Sequence, residues 1–245
     1  MHGPDNGARR PRVAFVVQRC GPEVNGGAEV HCLQLAQHMA QWWDTEVLTT
    51  CALDYMRWEN FYPAGAQEAG GTLIRRFPVE QPRDVERFDR ASTELQARGL
   101  QVDLETQENW MREQGPLSPE LLEYLRVNAD RYDAFIFFGY LYATTYFGLP
   151  LVAEKAWLAP LAHDEWPIYL SMWDRIFALP QRFLFNTDAE RDFLRARFPS
   201  LPLNGVVVGV GIDAPRQTRP EEFRARYSLE RPFLLYVGRI DKSKG

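Results

Sequence analysis

The chain has 245 residues and a mass of 28.4 kDa, and 45% of its residues are apolar. That is enough to fill the core of one large domain or of two small ones. Because 33 acidic side chains outnumber 28 basic ones and leave a net charge of −5, the composition argues against nucleic acid as a partner.

No apolar run approaches the ~18 to 20 residues of a membrane span, and the polar start of the chain lacks the apolar core of a secretory signal. We therefore predict a cytoplasmic protein. Cys20, Cys32 and Cys51 are odd in number and lack metal-type spacing, so we interpret them as reduced thiols rather than a disulfide framework.

Short apolar runs recur along the chain, and each is followed by a helical or loop stretch. The runs are nearly continuous rather than alternating, which favours parallel strands buried on both faces. Strand and helix therefore alternate, which predicts an α/β fold with a parallel sheet and helices on both of its faces. The predicted strands are 13–17, 46–50, 72–77, 134–138, 157–162, 182–186, 206–208 and 233–237.

Helical patterns fill the stretches between these strands. Ser118 and Pro119 supply an N-cap and a first-turn proline for one of them. Two further patterns follow each other with no strand between them, so we expect a helical insertion between predicted strands three and four. The predicted helices of the main domain cover 28–40, 83–98, 104–113 and 121–128.

The domain organisation follows from these elements. We predict a flexible arm at 1–10, a domain at 11–213, a linker with a short helix at 214–231, and the start of a second domain at 232–245. An apolar strand at the end of the chain needs neighbouring strands and covering helices to bury its side chains. We therefore interpret the sequence as cut short just after that second domain begins. The alternative is a one-domain protein with a final edge strand.

The loop after the first strand carries paired glycines, Gly26 and Gly27, where a helix begins. Amide groups at a helix N-terminus bind phosphate or carboxylate, and glycine lets a ligand approach the backbone closely. The spacing is not Gly-x-Gly-x-x-Gly, so a dinucleotide fingerprint is not supported. A tight turn that needs a positive φ explains the glycines equally well.

Two further segments follow predicted strands four and five. Tyr140, Tyr142 and Tyr146 could stack on sugar rings, although core packing explains at least one of them equally well. His163 is the only histidine at the carboxyl end of a predicted strand, and the adjacent Asp164 and Glu165 could orient it. A structural histidine is the alternative, and three neighbouring residues that point in different directions argue against a metal cluster.

The end of the chain is basic. Residues 214–245 carry a net charge of +4, and −9 remains for everything before them. Gly238 directly follows the last predicted strand, and Arg239 and Lys244 then suit a diphosphate, since a guanidinium binds oxygens bidentately and an ammonium adds a point charge. An ordinary basic turn is the alternative.

Five motifs occur in a fixed order along residues 12–245. They are Asn25-Gly26-Gly27-Ala28-Glu29, His163-Asp164, Phe185-Asn186-Thr187-Asp188-Ala189-Glu190-Arg191, Gly209-Val210-Gly211-Ile212-Asp213 and Tyr236-Val237-Gly238-Arg239-Ile240-Asp241-Lys242-Ser243-Lys244-Gly245. This order resembles group 1 (family 4) glycosyltransferases of the GT-B fold, covering the N-terminal domain and the first strand of the C-terminal domain.

The resemblance implies two facing Rossmann-like domains, the first for a glycan or lipid-linked acceptor and the second for a nucleotide-diphospho-sugar. Transfer would retain the anomeric configuration and need no metal or other cofactor. The resemblance implies catalytic roles for His163, Arg239 and Lys244, donor contacts for Gly26, Gly27, Gly238, Arg239 and Lys244, and acceptor contacts for Asn25, Glu29, Tyr140, Tyr142 and Asp164.

The chain departs from the family pattern in one respect. The family's two glutamates separated by seven residues, which hold the donor, belong downstream of Lys244, so we expect little or no transferase activity from these 245 residues alone. Lipid-linked acceptors would bring the protein to the inner face of the membrane, yet the acidic first 213 residues offer no basic patch for anionic lipid. The alternatives are a non-catalytic sugar- or nucleotide-binding module and a GT-B-type nucleotide-sugar epimerase.

Overall fold

The computed structural model describes residues 9–211 and 217–236. The chain divides into two compact units, one that ends at Val210 and one that begins at Gly211. The first unit contains the whole sheet. The described part of the second unit contains one helix, α8 (Pro220–Tyr227).

The first unit is built on one eight-stranded sheet in the order β3-β4-β2-β1-β5-β6-β7-β8. Every neighbouring pair is parallel except β3 and β4, which form an antiparallel hairpin. The strands are β1 (Arg12–Arg19), β2 (Asp44–Thr50), β3 (Gly65–Ala69), β4 (Thr72–Phe77), β5 (Ala134–Phe138), β6 (Ala156–Ala159), β7 (Arg182–Phe185) and β8 (Gly205–Val207).

Successive residues of β1 pack on opposite faces of the sheet. Val16 joins the apolar cluster that includes Leu125, whereas Phe15 and Val17 join a second cluster that includes Cys32. Since side chains alternate along a strand, a strand with an apolar cluster on each face has to be apolar throughout. The α/β fold and the mostly parallel, Rossmann-like sheet are confirmed.

Seven helices in the described part of the first unit flank this sheet. They are α1 (Gly27–Met39), α2 (Val85–Ala97), α3 (Leu104–Gln114), α4 (Pro119–Asn128), α5 (Ala143–Gly148), α6 (Met172–Phe177) and α7 (Asp188–Arg197), with 3₁₀ segments at Ala129–Arg131, Leu149–Lys155 and Trp166–Tyr169. None of the helices in the described ranges is both long and apolar enough to cross a bilayer.

Helix starts follow the capping chemistry of the sequence. Ser118 accepts a hydrogen bond from the Leu121 amide and so begins α4 where the sequence predicts it. Three other helices begin with the same type of bond, in which Asp84, Asp103 and Thr187 accept from amides in the first turns of α2, α3 and α7.

The structure differs from the strand predictions in three places. β6 ends at Ala159 rather than at residue 162, so a short loop separates the strand from His163. The sequence analysis missed β3, whose residues are mostly exposed, because a polar edge strand carries no apolar signal. Gly70 and Gly71, both with positive φ, close the tight turn that pairs it with β4. Residues 232–236 form no strand, and the rest of that predicted strand lies outside the described residues.

The strand order creates a topological switch point at β1. The chain leaves β1 toward β2 on one side and later returns to β5 on the other. In open parallel sheets, ligands bind in the crevice outside the carboxyl ends of the strands at such a point. We call the loops that follow β1, β5, β6 and β7 the carboxyl edge.

Candidate functional site

Helix α1 begins at the carboxyl edge, directly after the loop from β1. Its N-cap residue is Gly26, which has no side chain to make a capping hydrogen bond, and the first internal hydrogen bond of the helix joins the Val30 amide to the Gly26 carbonyl at 2.9 Å. The amides of residues 27–29 therefore have no carbonyl to bond within the helix. Gly27 is exposed, and a methyl group built on it would meet open space. These features suit an anion at the start of α1.

Glu29 lies in the first turn of α1 and is buried. Its Oε1 accepts hydrogen bonds from Arg19 Nε at 2.5 Å and from Gln18 Nε2 at 3.0 Å. Arg19 also donates to the Leu53 carbonyl, so the carboxylate ties α1 to the ends of β1 and β2. In the structure the Glu29 carboxylate is hydrogen-bonded to Arg19 and Gln18. Its contact with an acceptor stays a prediction.

A second buried group lies beside this pair. The Oε1 of Gln18 is buried and has no hydrogen-bond partner among the described residues. It lies close to Gly139, since a methyl group on that glycine would be 4.0 Å from Gln18 Oε1 and 3.2 Å from the Tyr142 ring. Burial, helped by the Glu29 and Glu165 carboxylates and opposed by Arg19 and Arg83, raises the pKa of Tyr142 to about 12. The residues at the ends of β1 and β5 therefore lie close to the segment that follows β6.

The two predicted acceptor tyrosines are placed differently. The ring of Tyr140 is 1% exposed and packs against Trp173 and Phe177, so its hydroxyl is the group that reaches the carboxyl edge. Tyr142 is only partly buried and lies edge-on to Trp58. Tyr146, the third tyrosine of that segment, is also buried.

His163 follows β6 and is exposed, with 75% of its side chain accessible to solvent. Its Nε2 lies 3.6 Å from Glu165 Oε2, while the other oxygen of Glu165 accepts a hydrogen bond from the Tyr140 hydroxyl at 2.8 Å. Asp164 is exposed and accepts from the Tyr169 hydroxyl at 2.8 Å. The histidine is therefore presented to solvent while both of its acidic neighbours are held by tyrosines.

One residue of this region belongs to the third sequence motif but received no role in the sequence analysis. Glu190 in α7 is buried, and its two carboxylate oxygens accept from the backbone amides of Ala162 and Asn186. The pattern Thr187-x-x-Glu190 is the signal that could have singled it out, because a threonine followed three residues later by glutamate marks a helix start.

The remaining predicted site residues lie before α1 or near the end of the chain. Asn25 is exposed in the loop before α1, and Gly26 is the N-cap of that helix. Gly238, Arg239 and Lys244 lie outside the described residues. Within the described ranges, no group of three or more His, Cys, Asp or Glu side chains is arranged to hold a metal ion.

Comparison of the chain with models of known protein families gives no match, and comparison with curated proteins gives none either. A functional conclusion therefore has to be argued from the carboxyl edge itself. Fold alone is shared by many unrelated functions, whereas the chemistry of named groups limits what can bind.

Proposed function

We propose that this chain forms the acceptor side of a retaining glycosyltransferase, which transfers a sugar from a nucleotide-diphospho-sugar to a glycan or glycoconjugate. The observation that carries the proposal is the uncapped start of α1 at the same edge of the sheet as the exposed His163. β1 and β6 are two strands apart, which corresponds to about 10 Å. A sugar joined to phosphate can bridge that distance.

Each group has a role in this proposal. The amides of residues 27–29 attract a phosphate oxygen, and Gly27 leaves room for the donor to approach them. His163 contacts the donor sugar near the reacting carbon, and Asp164 and Tyr142 face the acceptor. By the resemblance, Arg239 and Lys244 neutralise the diphosphate, where charge stabilisation in a dry cleft is worth several kcal/mol.

The proposed reaction exchanges one bond for another at the anomeric carbon. The bond to the diphosphate oxygen breaks, and the diphosphate leaves with the electron pair. The acceptor hydroxyl oxygen forms the new bond on the same face of the sugar, and its proton passes to the departing phosphate oxygen. No net oxidation or reduction takes place, so no further co-reactant is needed.

The test uses the complete protein from its own cells and a panel of nucleotide-diphospho-sugars with labelled sugar. We expect transfer from at least one donor, and we expect His163→Ala to lower kcat by about 100-fold, because a contact near the reacting carbon is lost. His38→Ala is the matched control, because His38 is exposed in the last turn of α1, at the opposite end of that helix. Donor binding without any transfer would show that the protein is a binding module and not an enzyme. Full activity of His163→Ala would show that the histidine has no role in the mechanism.

A further inference from the structure

Glu190 forms hydrogen bonds to the backbone segments that follow two neighbouring strands, β6 and β7. Its side chain is buried, and Oε1 accepts from the Ala162 amide after β6 at 2.8 Å. Oε2 accepts from the Asn186 amide after β7 at 2.7 Å. Burial raises the pKa of Glu190, while the amides of Asn186, Ala162 and Leu161 act in the opposite direction. A buried carboxylate is thus satisfied by main-chain donors from two separate segments.

This arrangement is more than a helix cap. In a capping box, Thr187 would accept from the Glu190 amide and Glu190 would return a bond to the Thr187 amide. The first half is present, with Thr187 Oγ1 accepting from the Glu190 amide at 3.0 Å. The Glu190 carboxylate instead bonds the amide one residue earlier, at Asn186, and crosses to Ala162 on another strand exit.

The segment that Glu190 holds is strained and leads directly into His163. Leu161 has a φ of +54°, a left-handed conformation that residues other than glycine rarely adopt, bulky ones least of all. Such a conformation persists only where its surroundings impose it, and Glu190 supplies a bond at the next residue, Ala162. Beyond the histidine, Tyr140 holds Glu165 with a bond of 2.8 Å.

The geometry points to Glu190 as a positioning residue that fixes the turn at Leu161 and Ala162 and so sets the position of His163 at the carboxyl edge. The inference rests on the proposed function, since it assigns Glu190 a role through His163. Glu190 itself touches no substrate. A reacting group displaced by about 1 Å can lose about 100-fold in rate, so a fixed backbone at this position matters for catalysis.

The test compares Glu190→Gln with two controls in the complete protein. Gln keeps the size of the side chain but presents an NH₂ group to one of the two amide donors, so one bond is lost. Thr187→Ala removes only the helix cap, and Asp192→Asn makes the same change of charge at an exposed position of α7. We expect only Glu190→Gln to accelerate amide hydrogen exchange at Ala162 and Asn186, by about tenfold or more.

Kinetics then separate positioning from a structural role. We expect Glu190→Gln to lower kcat by about 10- to 100-fold with the donor KM within about twofold, and Thr187→Ala to keep both values. Unchanged exchange at Ala162 would overturn the inference. Faster exchange with unchanged kcat would also overturn it, because Glu190 would then be structural only.

One further readout and one further variant apply if the wild-type protein is inactive or if Glu190→Gln does not fold. If the wild-type protein transfers no sugar, the proposed function fails, and the NMR signals of the His163 ring decide the positioning role by themselves. Because the Glu190 carboxylate and His163 interact electrostatically, the variant used for this readout is Glu190→Asp, which keeps the charge. We expect the ring signals to shift in Glu190→Asp and to stay in place in Asp192→Asn, and unchanged signals in Glu190→Asp would overturn the inference. If Glu190→Gln does not fold, Glu190→Asp replaces it, because a shorter carboxylate keeps the charge and cannot span both amides.

Discussion

The Glu29 carboxylate folds back against the Cα of Gly26, so that a methyl group built on Gly26 would stand only 2.0 Å from Glu29 Oε2. Glu29 cannot easily move away, because Arg19 holds its other oxygen at 2.5 Å inside the protein. The adjacent Gly27 has no such neighbour. Of two glycines that look equivalent in the sequence, only Gly26 is therefore required to be glycine by its neighbours.

Substituting these glycines tests this difference. We expect Gly26→Ala to lower the free energy of unfolding by about 1–3 kcal/mol, because the new methyl group overlaps the held carboxylate. We expect Gly27→Ala to leave it unchanged or to raise it by about 0.5 kcal/mol, since alanine restricts the unfolded chain. Urea unfolding of both variants measures these changes.

The same pair of variants tests the anion site. A methyl group at Gly27 would project into the crevice beside the uncapped amides of α1, so donor binding should weaken in Gly27→Ala despite its normal stability. Titration calorimetry with the donor found in the panel checks this. Wild-type affinity of Gly27→Ala would argue against a ligand at the start of α1.

The buried ion pair of Arg19 and Glu29 gives a third prediction. Their side chains are only 9% and 6% exposed, so Glu29→Gln leaves a buried cation without its partner. We expect a loss of about 3–5 kcal/mol in the free energy of unfolding. The double variant Arg19→Leu with Glu29→Leu should recover most of that loss, because no buried charge remains. A double variant as unstable as Glu29→Gln would contradict this account.

Glu46 in β2 is a third buried carboxylate, near the amino-terminal end of its strand. Burial by itself raises its pKa, but hydrogen bonds from Tyr132, Arg12 and Arg75 outweigh burial and hold the pKa below the ordinary value of 4.5. These donors lie 2.6 Å, 2.9 Å and 2.7 Å from the carboxylate oxygens. A folded-state pKa below the unfolded one means that the charged form stabilises the fold.

The sign of the pH dependence follows from this shift. The stabilisation by Glu46 is fully present above about pH 4.5 and is lost as the pH falls through the lower folded-state pKa. Near pH 7 we expect Glu46→Gln to be less stable than wild type by about 1.5–3 kcal/mol, and the gap should narrow on acidification. Urea unfolding across this pH range measures the gap, with the exposed Glu123→Gln as a control that stays close to wild type.

The three cysteines should be unreactive while the protein is folded. Cys20, Cys32 and Cys51 are all buried and unpaired, and burial raises the pKa of each thiol, to about 12 for Cys20. Because the thiolate is the reactive form, we expect Ellman's reagent to label none of them at neutral pH until a denaturant is added. Rapid labelling of the folded protein would show that one of these thiols is accessible.

The sequence by itself determined the fold class. Parallel strands with an apolar cluster on each face must be apolar throughout. A run such as 134–138 can therefore be recognised as a strand from its own sequence, without knowledge of its neighbours in the sheet. Local capping chemistry likewise marks the start of α4 at Ser118. The edge strand β3 left no such mark, because its polar residues are mostly exposed and its pairing depends on a turn at Gly70 and Gly71.

Only the tertiary structure decided what the site residues do. The sequence placed His163 at a strand exit, and the structure presents it to solvent. Glu29 and Tyr140 also lie at the carboxyl edge, but one carboxylate is bound by Arg19 and one ring is buried against Trp173. Glu190 meets the Ala162 amide only because β6 and β7 are neighbours in the sheet. Apolar periodicity is a local property of the chain, whereas the partner of a buried polar group is chosen by contacts between residues far apart in sequence.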